Sequence, residues 1–280
     1  MTKLRDDPVS AKDLQEFVDS KADFAFEMRV LRRFEQLAYS CAHGGTYRDP
    51  ITKKTRQFDI RAWRAHVEAA RLGIAAECKN IGANFPLLVH AVPRKPGEAF
   101  HELIVVDHGH SAGHSIEHLA GNSSRYKPDV PVGKRLDQVG RNPSGELVGS
   151  DQDVFEKVSQ SINSTFDLTD SVARDNASPR LYAIVPLLVV PDERLWQVDY
   201  SSDGQQQGPP RRVESATVFL DKVWSFRYLG GGFFNYRLSH YEITTLGGLK
   251  ETLTRLWQPT DHTPGLFNPA AQSRDIPFNW

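Results

Sequence analysis

Two strand-like stretches that each carry an acidic residue most strongly constrain the fold and function of this chain. The first holds Asp59, and the second, residues 72–79, ends in the triplet Glu77-Cys78-Lys79. Alternate side chains of a strand point to opposite faces, so Glu77 and Lys79 are predicted to share one face and Cys78 to lie on the other. Two carboxylates and an ammonium on neighbouring strands suit a divalent metal with a water beside it. The pattern therefore favours metal-dependent hydrolysis of a phosphodiester.

The order of predicted elements indicates an α/β layer architecture. Apolar residues at helical spacing predict helices over residues 23–40, 151–174 and 246–257. Residues 63–71 are expected to form a connector. Strands are predicted at residues 57–62, 72–79, 85–92, 103–106, 182–190, 195–200, 214–223, 224–229 and 233–243. This order predicts a mixed central β-sheet flanked by helices on both faces.

The pattern resembles the PD-(D/E)XK nuclease superfamily, which has the restriction-endonuclease-like fold. In that family an acidic residue on the second core strand precedes a (D/E)-X-K triplet on the third, as Asp59 and Glu77-Cys78-Lys79 do here. Many members add a glutamate on the first helix, and Glu27 within Phe-Glu-Met-Arg-Val matches that pattern, with Glu35 as the alternative. The resemblance implies a core made of a helix, a three-strand meander, a second helix and a final strand.

The same resemblance implies a role for each of these residues. Asp59 and Glu77 are expected to hold Mg²⁺, with the carbonyl of Cys78 as a further ligand and Mn²⁺ as an expected substitute. Lys79 is expected to orient or deprotonate the attacking water and to stabilise charge on the phosphoryl oxygens. Glu27 is expected to bind a second metal or a metal-bound water. The expected catalytic set is therefore Glu27, Asp59, Glu77 and Lys79.

The expected domain organisation follows from how far the resemblance extends. It covers residues 24–80 well and 150–200 by the order of elements alone. Residues 94–150 are rich in Gly, Pro, His and Asn, and they are expected to be an insertion or long loop region with one short strand. The predicted division comprises a lead-in segment 1–22, a nuclease-like core 23–200 with an insertion at about 94–150, and a β-rich C-terminal extension 201–280 packed on the core.

Charge and composition indicate the expected partner and location. Residues 28–79 contain eleven Lys or Arg and five acids, which suits a phosphate backbone. DNA is the expected substrate, with RNA as the second possibility, and no membrane partner is expected because no apolar run approaches the roughly 20 residues of a membrane span. Two cysteines and a polar N-terminus predict a cytoplasmic location. No coiled-coil seam supports a homodimer.

Two other functions compete with a DNA-cutting enzyme active in restriction or defence. The same fold could serve as a catalytically inactive nucleic-acid-binding module, although such a module has no chemical need for Asp59, Glu77 and Lys79 together. A zinc-dependent hydrolase is the other alternative, built on a histidine-rich segment of residues 107–118. Its candidate ligands are His108, His110, His114 and His118 with Asp107 and Glu117. The glycines between them favour a polar loop instead, and no His-Glu-x-x-His motif is present.

Overall fold

The protein is a mixed α/β structure with four α-helices among its described residues. The computed structural model describes residues 6–20, 23–66, 70–107, 113–150, 152–174, 180–227, 232–257 and 265–267. The helices are α1 Ala11–Ser20, α2 Phe24–Gln36, α3 Gln152–Val172 and α4 Leu249–Trp257. Among these four, none is long and apolar enough to cross a membrane.

The described part of the chain contains fifteen strands. They are β1 Ser40–His43, β2 Thr46–Arg48, β3 Thr55–Gln57, β4 Ile60–His66, β5 Ala70–Cys78, β6 Leu87–Pro93, β7 Phe100–Asp107, β8 Gly113–Ala120, β9 Pro131–Arg141, β10 Leu147–Ser150, β11 Arg180–Val190, β12 Leu195–Asp199, β13 Arg211–Arg212, β14 Ser215–Arg227 and β15 Phe233–Thr245. All except β2 and β3 belong to one sheet, and these two form a separate hairpin.

The main sheet mixes antiparallel and parallel pairs. Its longest path runs β1-β4-β5-β11-β15-β14-β9-β6-β12-β13, while β10 pairs with β9, β7 with β11, and β8 with β7. Neighbours β1, β4 and β5 are antiparallel, whereas β11 is parallel to both β5 and β15. Residues 181–190 of β11 are all buried, as expected for a parallel strand covered on both faces.

Helices cover both faces of the sheet. Phe26, Val30 and Phe34 of α2 recur every four residues and are buried in one core cluster together with residues of α4. Burying each such side chain contributes about 1.5–3 kcal/mol. Val158 and other apolar residues of α3 belong to a second cluster, which also contains Ala75 of β5. The predicted mixed sheet with helices on both faces is confirmed.

Polar contacts fix α3 on the sheet at a defined height. The Ser161 hydroxyl is buried, donates to the Ala75 carbonyl at 2.8 Å and accepts the Leu187 N–H at 3.0 Å. Arg61 of β4 donates to the Ser164 hydroxyl at 3.0 Å and pairs with Asp167 at 2.8 Å. These bonds tie α3 to β4, β5 and β11, and they set the side chains of its first turns above the carboxyl end of β5.

Several predicted elements are corrected by the structure. Residues 63–66 continue β4, and residues 70–71 begin β5, so the predicted connector over 63–71 is wrong where the chain is described. Residues 94–150 are not a loop region, because they contain β7 to β10. The three short strands expected between 214 and 243 are two long strands, β14 and β15, which form a thirteen-residue hairpin pair. The helices at 23–40, 151–174 and 246–257 are confirmed within a few residues.

The reason for the error at residues 94–150 is physical. The burial pattern of β9 is irregular and β10 is exposed throughout, and polar and glycine residues in both strands weaken the local pattern. β9 is stabilised by non-local pairing, since it lies between β14 and β6 in the sheet. Pairing of that kind overrides weak local propensity.

Candidate active site

The site lies where β4 and β5 meet the start of α3. Ile60 pairs with Ala76 across the antiparallel strands, so the next residues outward, Asp59 and Glu77, face each other. Asp59 lies in the bend just before β4 rather than within a strand, which corrects the predicted strand over 57–62. Both carboxylates are buried, with Glu77 1% exposed.

Backbone groups hold Asp59 in place. One of its carboxylate oxygens accepts the Cys78 backbone N–H at 2.7 Å. Its own backbone N–H donates to Glu77 Oε1 at 3.5 Å, which is a long contact. The two acidic residues are thus cross-linked through the main chain, and their separation is set by strand register rather than by flexible side chains.

Lys157 of α3 provides the cation between these two carboxylates. Its ammonium lies 2.8 Å from Asp59 Oδ2 and 3.1 Å from Glu77 Oε2. Burial by itself lowers the pKa of Lys157, but the charges of Glu77 and Asp59 outweigh burial and hold the pKa above its usual value. The lysine therefore stays charged across the physiological range.

The charge of Glu77 is only partly compensated. Burial, together with the charge of Asp59, raises its pKa to about 8, although Lys157 opposes both effects. The two buried carboxylates share one ammonium, so when both are ionised one negative charge has no partner. A divalent cation would be a partner for that charge, and carboxylate oxygens are the ligands that Mg²⁺ prefers. The donor set therefore fits the expected metal by its chemistry.

Glu27 joins the group from the other side. It follows the buried Phe26 on α2 and is half-buried, and its Oε2 lies 3.2 Å from the His43 Nε2 of β1. Burial raises the pKa of Glu27, and the charge of Asp59 adds to the effect, although His43 and Lys157 oppose it. The structure thus brings Glu27 into electrostatic contact with Asp59. Glu35, the alternative, is an exposed residue of α2.

Cys78 and Lys79 lie on either side of the strand end. The Cys78 thiol is fully buried in the cluster with α2, which confirms that it lies on the face opposite α3. Burial raises its pKa well above the usual range, and the nearby carboxylates add to this, so the thiol is un-ionised. Lys79 comes just after β5, and its backbone N–H donates to the Val189 carbonyl at 3.0 Å.

The Lys79 side chain lines a cavity of about 430 Å³. Asp23, Asn80, Arg141 and Ser150 also line it. Within the part of the chain that the structure describes, Lys79 forms no ion pair with a carboxylate, in contrast to Lys157. The cation that contacts Asp59 and Glu77 therefore comes from α3 and not from the triplet.

Lys157 is the residue that sequence reasoning missed. A signal for it exists, because it follows the buried Val154 by three residues and precedes the buried Ser161 by four. That spacing places it on the stripe of α3 that faces the sheet. A lysine on such a stripe needs a buried partner, and the strand acids were the available candidates.

The structure describes only part of the histidine-rich segment. His108 and His110 lie outside the described residues, between β7 and β8. His118 lies on β8, where its Nδ1 is 3.2 Å from Glu102 Oε1 and its ring stacks on Phe100 with centroids 5.0 Å apart. Among the described residues, no three His, Cys, Asp or Glu side chains form a ready metal-binding group, either here or around Asp59.

Comparisons with known proteins identify no relative of this chain. No family model, curated protein or solved structure matches it. The function is therefore inferred from the residues and their geometry.

Proposed function

We propose that the protein is a metal-dependent nuclease that hydrolyses DNA phosphodiester bonds. The observation that carries the proposal is the convergence of Glu27, Asp59 and Glu77, supplied by α2, the bend before β4 and β5, around the buried ammonium of Lys157. The charge of Asp59 raises the pKa of both Glu27 and Glu77, and carboxyl groups with perturbed pKa values are found preferentially at functional sites. A role in restriction or defence against foreign DNA belongs to the same proposal by family analogy.

The order of elements supports the proposal. The chain runs through α2, the antiparallel strands β1, β4 and β5, then α3 and β11, which is parallel to β5. The restriction-endonuclease-like core implied by the sequence resemblance has the same order of helix, three-strand meander, helix and strand. A shared fold alone does not fix an activity, so the weight of the proposal rests on the carboxylates.

Each of these residues would have its own chemical role in the reaction. Asp59, Glu77, the Cys78 carbonyl and Glu27 would hold Mg²⁺, which when bound polarises a phosphoryl oxygen and acidifies a coordinated water. Lys157 donates to both Asp59 and Glu77, and its charge opposes the rise in the Glu77 pKa. Lys79, at the wall of its cavity, would orient the attacking water or contact the phosphate.

Exposed basic residues beside the site support a nucleic-acid substrate. The β2–β3 hairpin leads directly into Asp59, and Arg48, Lys53 and Lys54 on it are exposed. A phosphate backbone bound along these residues would pass close to the carboxylates. DNA is the proposed substrate, and RNA is the alternative that the same charges would also attract.

The test is cleavage of supercoiled plasmid, single-stranded DNA and single-stranded RNA in Mg²⁺ or Mn²⁺. The wild type is expected to cut DNA, and Asp59→Asn and Glu77→Gln are expected to abolish cutting while they keep nearly the same side-chain shape. Glu251→Gln changes an exposed glutamate of α4 and is the matched control. A wild type that is inert on all three substrates with both metals would contradict the proposal.

A non-catalytic nucleic-acid-binding module is the second candidate. Lys157 already engages both buried carboxylates, as it would in a purely structural ion pair. Tight binding of DNA without cleavage, unaffected by Asp59→Asn, would favour this candidate. Binding and cleavage should therefore be measured on the same preparations.

A further inference from the structure

A second cavity, separate from the carboxylate site, is lined by positive charge. It has a volume of about 330 Å³ and lies where the β12, β13 and β14 strands meet α4. Five cationic residues line it: Arg94, Arg125, Lys127, Arg211 and Arg255. Among the described residues that line it, none carries a carboxylate. We call it the arginine pocket.

Most of these cations have no acidic partner. Within the described residues, only Arg211 forms an ion pair, with Asp199 at 3.2 Å. Arg94 donates instead to neutral acceptors, the His240 Nε2 at 3.1 Å and the Lys127 carbonyl at 2.7 Å. Lys127 likewise donates to a carbonyl, that of Asn122, at 2.8 Å.

Two of the arginines that line the pocket have a buried guanidinium donor without a partner in the described part of the chain. These donors are the Nε groups of Arg125 and Arg255. A buried donor without an acceptor is destabilising, and more so when the group is charged. Burial lowers the pKa of both Arg94 and Arg125, which reflects the same cost.

A buried carboxylate beside the pocket, that of Glu242, is already engaged. Glu242 lies behind the pocket wall and accepts hydrogen bonds from the Tyr126 hydroxyl at 3.1 Å and the Thr217 hydroxyl at 2.8 Å. It attracts Arg94 and Arg125 electrostatically but contacts neither within ion-pair distance. Positive charge that no carboxylate neutralises therefore lines the cavity, where a bound anion would compensate it.

We propose that the arginine pocket binds a small phosphorylated ligand through its phosphoryl oxygens. Guanidinium groups match the geometry of phosphate oxygens in a bidentate manner, and several of them converge here. Gln197 and Ser215 also line the cavity and carry neutral groups that can donate hydrogen bonds. A volume near 330 Å³ is at the small end of ligand pockets and fits a compound of about mononucleotide size.

The phosphoryl group could come from a free metabolite or from the end of a nucleic-acid strand. Isothermal titration calorimetry in EDTA, with inorganic pyrophosphate, ADP and a 5′-phosphorylated dinucleotide as probes, distinguishes these sources. The unphosphorylated dinucleotide and chloride at matched ionic strength are the controls for charge alone. Preference for ADP or pyrophosphate assigns a free compound, whereas preference for the 5′-phosphorylated dinucleotide assigns a strand terminus, and both results support the pocket.

Matched variants locate the binding. We expect binding of the best probe to be at least tenfold weaker in Arg255→Gln and in Arg211→Gln. The single variant Arg125→Gln is expected to lose more than either of these. Arg227→Gln changes an exposed arginine at the far end of β14 and is expected to bind as the wild type does. Circular dichroism and thermal unfolding check that each variant is folded. If Arg125→Gln does not fold, Arg211→Gln still tests the proposal.

The outcome is independent of the proposed nuclease activity. Asp59→Asn is expected to bind the probe with wild-type affinity, because the carboxylate site and the arginine pocket share no lining residue. Failure of every phosphorylated probe to bind the wild type would overturn the proposal. So would binding that persists unchanged in Arg255→Gln and Arg211→Gln.

Discussion

At the scale of single residues, two lysines that look equivalent in the sequence have different environments. Lys157 bridges Asp59 and Glu77 inside the protein, whereas Lys79 lines an open cavity and forms no ion pair among the described residues. The first opposes the rise in the Glu77 pKa, and the second is the lysine that would meet substrate under the proposed function. Substitution of each lysine should therefore give a different pattern of losses.

Lys157→Met is predicted to lower both stability and cleavage. Removing one partner of a buried ion pair leaves uncompensated charge, and the expected cost is about 3 kcal/mol in the free energy of unfolding. Lys79→Ala is predicted to lower cleavage while it leaves stability within about 0.5 kcal/mol of the wild type. Urea denaturation at pH 7.5 and plasmid cleavage on the same samples measure both effects. Equal stability of Lys157→Met and the wild type would contradict the bridging role.

At the scale of elements, the position of α3 decides where Lys157 lies. Ser161 is one helical turn after Lys157, and its hydroxyl bonds both β5 and β11. The helix is thereby held at one height above the sheet, and the ammonium reaches both carboxylates. A polar contact in the core thus positions a residue of the candidate site.

Ser161→Ala is predicted to destabilise the protein by about 1–3 kcal/mol, because it leaves the Leu187 N–H and the Ala75 carbonyl without this partner. Cleavage by the folded variant should also fall, since α3 is then free to shift. Ser171→Ala, at an exposed position of the same helix, is the matched control and should unfold like the wild type. Chemical denaturation followed by fluorescence gives the comparison, and a neutral Ser161→Ala would show that packing alone docks α3.

At the scale of the whole molecule, stability is expected to depend on pH through two buried neutral histidines. Burial lowers the pKa of His101 to about 4, and burial together with the Arg94 charge lowers that of His240 to about 2. His101 accepts the Arg125 backbone N–H at Nδ1 and donates from Nε2 to the Leu266 carbonyl at 2.9 Å. Both imidazoles thus belong to networks that require the uncharged form.

Stability is predicted to fall as the pH drops below about 6.5. Between that value and the lowered pKa, a histidine of the unfolded chain binds a proton that the folded protein excludes, which costs about 1.4 kcal/mol per pH unit for each group. His101→Gln keeps the Nε2 donor and removes the titration, so its stability should decline less steeply between pH 6.5 and 4.5. Urea titrations across that range, with the exposed His118→Gln as control, measure the slopes. A slope in His101→Gln as steep as that of the wild type would refute the assignment.

The sequence by itself determined the elements with strong local patterns. The apolar spacing of α2 and α3 and the buried run of β11 follow from helical and strand periodicity, and these elements are found where they were predicted. The positions of Asp59 and Glu77 at neighbouring strand ends also follow, because antiparallel pairing places them opposite each other. The two carboxylates of the candidate site could therefore be predicted from the pattern of the sequence.

Tertiary structure alone decided the rest. The contacts of Lys157 span 98 residues to Asp59 and 80 to Glu77, and no local periodicity encodes such distances. Strands β7 and β9 pair with distant strands of the sheet, despite glycine and polar residues that weaken their local propensity, and β8 and β10 pair in turn with these two. The arginine pocket likewise unites residues 94–127 with 211–255. Non-local pairing brings these charges together, and only the folded chain shows which of them lack a partner.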